Sequence, residues 1–97
     1  MKFSDSQLNR MFQSGETFFK QDGSTFRAFH DIENTETDGV LTEAEYLYCR
    51  EGDIRQGDIV TIHGKKHKVQ FVRREGDGTQ SAFVVEHVGG GNYGKYQ

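Results

Sequence analysis

The stretch Asp58-Ile59-Val60-Thr61-Ile62-His63-Gly64-Lys65-Lys66-His67-Lys68-Val69-Gln70-Phe71-Val72 decides the fold class. Two runs rich in β-branched residues flank a Gly64-Lys65 turn. Gly57-Asp58 opens the unit, and a second turn, Glu75-Gly76-Asp77-Gly78, closes it. Glycine supplies the positive φ that a tight turn needs, and β-branched side chains fit a pleated surface. The pattern predicts a β-hairpin, and with it a mostly β chain.

Strand grammar extends in both directions. Upstream, residues 16–21 read as a strand, Asp22-Gly23 as a turn, and residues 24–32 as a second strand. In that strand Phe26, Ala28, His30 and Ile32 alternate with Arg27, Phe29 and Asp31. The polar run 33–43 is too long for a tight turn and reads as a mobile loop. Residues 44–50 form the next strand, and residues 80–88 form the last. Residues 4–14 read as a short helix capped by Ser4 or Asp5, with Leu8, Met11 and Phe12 spaced as one apolar stripe. The expected organisation is a helical arm (1–15), a β domain (16–88) and a glycine-rich flexible tail (89–97). Five or six short antiparallel strands at this spacing predict a small β-barrel or sandwich.

The 97 residues suffice for one domain. Only 33% are hydrophobic and 28% are charged, so the core is modest, and eight Phe and four Tyr are expected to supply most of its buried area. A net charge of −3 with scattered Lys and Arg argues against a nucleic-acid binder. The local exception, Lys65, Lys66, His67 and Lys68 followed by Arg73 and Arg74, reads as a solvated hairpin tip and strand edge rather than a phosphate-binding patch. The lone Cys49 cannot form an internal disulfide and reads as a half-buried structural thiol in a reducing compartment. No apolar run reaches membrane-spanning length, and the polar N-terminus has no signal-peptide core, so cytosolic synthesis without membrane insertion is expected.

Two motifs compete with this reading. Residues 34–45 count as a twelve-residue calcium loop, with Asn34, Glu36, Asp38 and Glu45 at positions 1, 3, 5 and 12, Gly39 at 6 and Leu41 at 8. A single EF-hand-like calcium module is therefore an alternative. Position 1 is Asn, however, position 3 is the longer Glu, and the preceding segment alternates as a strand rather than a helix. The four histidines, His30, His63, His67 and His87, are read as scattered surface residues, not a metal set. A second alternative is a nucleic-acid-binding barrel using Lys65, Lys66, Lys68, Arg73 and Arg74. Residues 89–95 lack Walker spacing, and no catalytic set is evident, so neither catalysis nor a cofactor is expected.

The order of these elements resembles the small tail-attachment, or head–tail joining, proteins of lambda-like tailed phages. The resemblance covers about Gly15 to Val88. It rests on the hairpin 17–29, the short strand 46–50, the run Ile54-Arg55-Gln56-Gly57-Asp58, then Thr61-Ile62, Val69 and Val72, the Asp77-Gly78 turn and a final strand. Within it the Gly-Asp-x-x-x-Ile segment implies a strand start after a sharp turn. The acidic, Thr-rich run 33–43 and the glycine-rich end depart from that pattern.

The resemblance implies a virion assembly protein made in the bacterial host cytoplasm. It implies a monomer in solution that joins as a ring at the portal or connector end of a DNA-filled head, meets the tail-terminator proteins, and lets DNA pass without specific binding. A tail-terminator or tail-tube-like protein is the neighbouring alternative. Expected partner contacts are the helix stripe Leu8, Met11 and Phe12, the loop around Asp38 and Gly39, and Tyr93 and Tyr96 in the tail. The helical arm is expected to be dispensable for the fold itself.

Overall fold

The computed structural model describes residues 2–87. One helix, α1 (Asp5–Phe12), precedes six strands: β1 (Glu16–Lys20), β2 (Thr25–Thr37), β3 (Val40–Arg50), β4 (Ile59–Ile62), β5 (Lys65–Arg74) and β6 (Thr79–Glu86). All pairings are antiparallel, in the order β1-β2-β3-β6-β5-β4, and the sheet closes on itself where β1 meets β4 at Phe19↔Thr61 and Lys20↔Val60. The chain is mostly β, as its strand grammar predicts, and the closed arrangement is a small barrel.

The opening hairpin is β4–β5, but its turn lies one residue earlier than expected. Ile62 pairs with Lys65, so the two turn residues are His63 and Gly64. Both have positive φ, 50° and 83°. A two-residue loop between right-handedly twisted strands needs positive φ at both positions, and His tolerates it better than Lys. Ahead of β4, Asp58 closes a sharp turn: its carboxylate accepts from the Arg55 amide at 2.9 Å while its own amide donates to the Arg55 carbonyl at 3.1 Å. Gly57-Asp58 therefore has the structural role expected of it.

The larger correction concerns residues 33–43. They form no mobile loop but continue β2 and β3 as a ribbon, paired from Glu33↔Ala44 through Thr35↔Thr42 to Thr37↔Val40. Its end is another two-residue turn, Asp38-Gly39, with φ of 54° and 77°. The run is polar because the ribbon stands clear of the barrel and has no core face, so the alternation that marks a half-buried strand is missing. The EF-hand spacing is broken by the same register, since residues 34–45 are extended and flanked by strands where that motif needs helices.

Inside the barrel the core comprises Phe18, Phe26, Ala28, Leu47, Cys49, Ile54, Val60, Ile62, Val69, Ala82 and Val84, with Val72 packed against it. It is mainly aliphatic. Of the eight Phe, Phe12, Phe18, Phe26 and Phe83 are buried and Phe3, Phe19, Phe29 and Phe71 are exposed, so aromatic residues supply less of the core than their number suggests. Cys49 is fully buried rather than half-buried, and burial pushes its thiol up to about 12. Ile54, from the β3–β4 connection, plugs one end, and its carbonyl accepts a 2.8 Å hydrogen bond from the buried Gln80 side chain.

Helix α1 packs at the end where β3 finishes and β6 begins. Its N-terminus is a capping box in which Ser4 Oγ accepts from the Gln7 amide and the Gln7 side chain accepts from the Ser4 amide. Phe12 packs on Phe29 and Tyr48, with ring centroids 5.7 and 5.5 Å apart. Arg50 reaches Asn9 and Asp5 from the end of β3, and the Phe3 amide donates to the Asp77 carbonyl. The arm therefore does not stand free of the barrel: Leu8 and Phe12 are buried, and Phe12 covers part of Phe29 and Tyr48.

Candidate interaction surfaces

Of the residues expected to meet partners, the structure separates the helix stripe from the ribbon. Leu8 and Phe12 are 5% and 3% exposed, so they are spent on the domain's own packing, and only Met11 keeps a partly open side chain. Asp38 and Gly39 do stand exposed, at the ribbon's turn. Tyr93 and Tyr96 lie outside the described residues.

The ribbon itself is the most conspicuous surface. Beyond Glu45, the first β3 residue paired with β6, it rises five residues to Val40, about 17 Å at strand spacing. Among the described residues no strand pairs the outer edge of β2 from Phe29 onward or that of β3 from Val40 to Ala44. Val40 and Leu41 sit beside the turn at 62% and 71% exposure. An isolated two-stranded ribbon is marginal in water. Covering both side chains would contribute about 1.5–3 kcal/mol each.

A second surface lies on the outer face where β3, β6 and β5 meet. Phe83 is its centre, with Phe71 stacked on it at 4.7 Å, Tyr46 at 5.4 Å, and the Arg73 guanidinium 5.1 Å from its ring centroid. A shallow groove beside it is flanked by Ile32 and Val85, exposed at 48% and 42%. A β-bulge explains why Phe71 faces outward: Val69 opposes Val84 while Phe71 opposes Phe83, so one extra β5 residue shifts the alternation. Sequence reasoning missed this surface because its residues come from three strands, and no window of the sequence shows the bulge. Burial, with Asp31 and Glu33 nearby, raises the Tyr46 phenol above its usual range.

The histidines are less scattered than expected. Glu45 bridges two of them, with Oε2 2.5 Å from His30 Nε2 and Oε1 3.4 Å from His67 Nε2. His67 Nδ1 donates to the Lys65 carbonyl at 3.0 Å. His63 meets Glu16 at 3.0 Å and packs edge-on to His30, 5.3 Å between rings. This cluster fastens the base of the ribbon to the β4–β5 hairpin. Among the described residues no group of three or more His, Cys, Asp or Glu side chains is arranged to hold a metal ion, and no helix is long and apolar enough to cross a membrane.

No protein-family model and no curated protein matches the chain.

Proposed function

We propose that this chain is a virion assembly protein of a tailed phage or prophage. In this role it binds the portal or connector end of the DNA-filled head and provides the attachment site for the tail. The observation that carries the reading is the ribbon: two exposed apolar side chains, Val40 and Leu41, presented on a marginally stable projection whose edges are unpaired among the described residues. Such an element gains order when a partner covers it, by strand addition or by burial of its tip. A rigid barrel that bears it, together with the order of strands and turns that resembles head–tail joining proteins, supports an assembly role over a catalytic one. Within this reading the subunits act as a ring through which DNA passes, and the partners are head connector and tail-terminator proteins.

The test is joining in vitro. Purified chain is added to DNA-filled heads and free tails from the encoding phage, both prepared without this protein. Joined particles counted by negative-stain microscopy are the expected outcome. The Val40→Ser, Leu41→Ser variant, folded but blunt at the ribbon, is expected to join far fewer. Joining that proceeds equally well without added protein removes the reading.

A further inference from the structure

The sheet forks where β3 leaves β6. The last residues the two strands pair are Glu45 and Val84; β3 then runs out into the ribbon, while β6 continues along β5 to Glu86, opposite His67. Among the described residues no strand pairs the β3 edge from Val40 to Ala44, or the facing β6 edge at Val85 and Glu86. The shallow groove beside Phe83 lies in the angle between these edges and is lined by residues of both strands. Backbone N–H and C=O groups on its walls are therefore open to pairing.

Strand alternation gives the two faces of this fork different chemistry. Tyr46 and Phe71 both oppose Phe83, so Ala44, Val85 and the stacked Phe71–Phe83 pair belong to the outer face. Glu45 opposes Val84, so Glu43, Glu45 and Glu86 belong to the other. Phe71 and Val85 are 50% and 42% exposed, which leaves the outer face apolar and open. Among the described residues Glu43 and Glu86 make no ion pair. Arg73, the one cation that lines the groove, is held over the Phe83 ring and against Glu33 and Glu75. Lys68 opposes Val85 from β5 but does not line the groove.

We propose that this fork docks an extended, basic segment of a partner protein, which adds a strand to the β3 edge at residues 40–44. Its apolar side chains lie on the Phe71–Phe83–Val85 side, and its Lys or Arg side chains reach Glu43 and Glu86. The chemistry of the occupant follows from the groove. An added strand alternates its side chains between faces, so it meets an aromatic and aliphatic surface on one side and unpaired carboxylates on the other. Charge complementarity then selects a cationic partner. A third strand also relieves the marginal stability of the two-stranded ribbon. The inference deepens the assembly reading and rests on it for the partner being a virion component.

The probe is a short acetylated and amidated peptide that alternates lysine with valine around a central phenylalanine. It is titrated into ¹⁵N-labelled full-length chain and followed by amide chemical shifts. Saturable shifts are expected at residues 40–45 and 83–86, with slower amide exchange along 40–44. Between about 50 mM and about 500 mM salt, where the screening length shrinks from roughly 14 Å to roughly 4 Å, the affinity should fall at least roughly fivefold. The same peptide with glutamate in place of lysine should not bind. Methylation of its alternate backbone amides, which removes the donors that a strand needs, should weaken binding at least roughly tenfold.

Two variants separate the faces. Glu43→Lys, Glu86→Lys reverses the charged side, and Phe71→Ser removes the apolar one. All three positions are exposed, and circular dichroism verifies that both variants fold. Each should weaken peptide binding at least roughly tenfold. No saturable binding, shifts centred on the β2 edge or the β4–β5 turn, equal binding of the glutamate peptide, or variants that bind like the wild type would overturn the proposal. So would a groove filled before the peptide arrives. Shifts of residues 88–97 on Phe71→Ser would make the occupant the chain's own end, and wild-type association that the peptide competes away in sedimentation velocity would make it a second copy. Peptide binding by a chain that fails to join heads to tails would leave the groove standing and remove the joining role. Wild-type joining by a Phe71→Ser chain, with no peptide binding by the wild type, would do the reverse.

Discussion

Replacing Phe12 by Ala tests whether α1 belongs to the folded domain or waits for a partner. The ring is 3% exposed and lies against Phe29 and Tyr48, and the only other buried side chain of the helix is Leu8. Buried Phe→Ala changes cost about 3–5 kcal/mol when the surroundings cannot collapse. Here they can relax by releasing the helix, so the loss is bounded by what holds α1 in place. The apolar part of that hold is the burial of Leu8 and Phe12, about 1.5–3 kcal/mol each. A loss of about 3 kcal/mol is therefore expected for Phe12→Ala. The double variant Leu8→Ala, Phe12→Ala should lose much less than the sum of the single losses, because a released helix has no second contact to give up. With four Tyr and no Trp, urea unfolding followed by tyrosine fluorescence and far-ultraviolet circular dichroism reads both quantities. A Phe12→Ala protein within about 0.5 kcal/mol of wild type would refute the docked helix and return Leu8, Met11 and Phe12 to the partner surface.

Other expectations follow from single contacts. Gln80→Ala leaves the buried Ile54 carbonyl without its donor and the Gly52 amide without its acceptor, and should cost about 1–3 kcal/mol in the same unfolding assay. Burial raises the Asp53 carboxyl above the usual carboxylate range. The folded chain holds that proton more tightly than the unfolded chain, so its contribution is present at acidic pH and is lost as pH rises through the folded value. Asp53→Asn should remove this part of the pH dependence while leaving the opposite trend from Asp77, whose carboxyl is held low by Thr79 and whose contribution is lost as pH falls. The buried Cys49 thiol, pushed up to about 12, should react with a thiol reagent only as fast as the barrel opens, a rate that hydrogen exchange measures independently.

The barrel strands were legible because one face of each meets a core: the alternation of β5 around His67 and Val69, and of β2 through Phe26 and Ala28, survives in the linear sequence. The ribbon was not legible, because solvated on both faces it has the composition of a loop. Its one local signal, Asp38-Gly39 between Thr37 and Val40, also fits positions 5 and 6 of a calcium loop. The helix stripe was legible as apolar, but spacing reports only that Leu8 and Phe12 need cover, and in the fold that cover comes from the domain itself. The Phe71–Phe83 surface depends on a bulge, and the Glu45–His30–His67 cluster on register between distant strands; neither leaves a pattern in one window.

The most direct test of the proposed assembly role is removal of the coding sequence from the genome that carries it, followed by electron microscopy of the induced lysate. The account predicts DNA-filled heads and separate finished tails, with joined particles restored by supplying the wild-type chain and not by the variant lacking Val40 and Leu41 at the ribbon tip. Joined particles at wild-type numbers in the deletion lysate would contradict it.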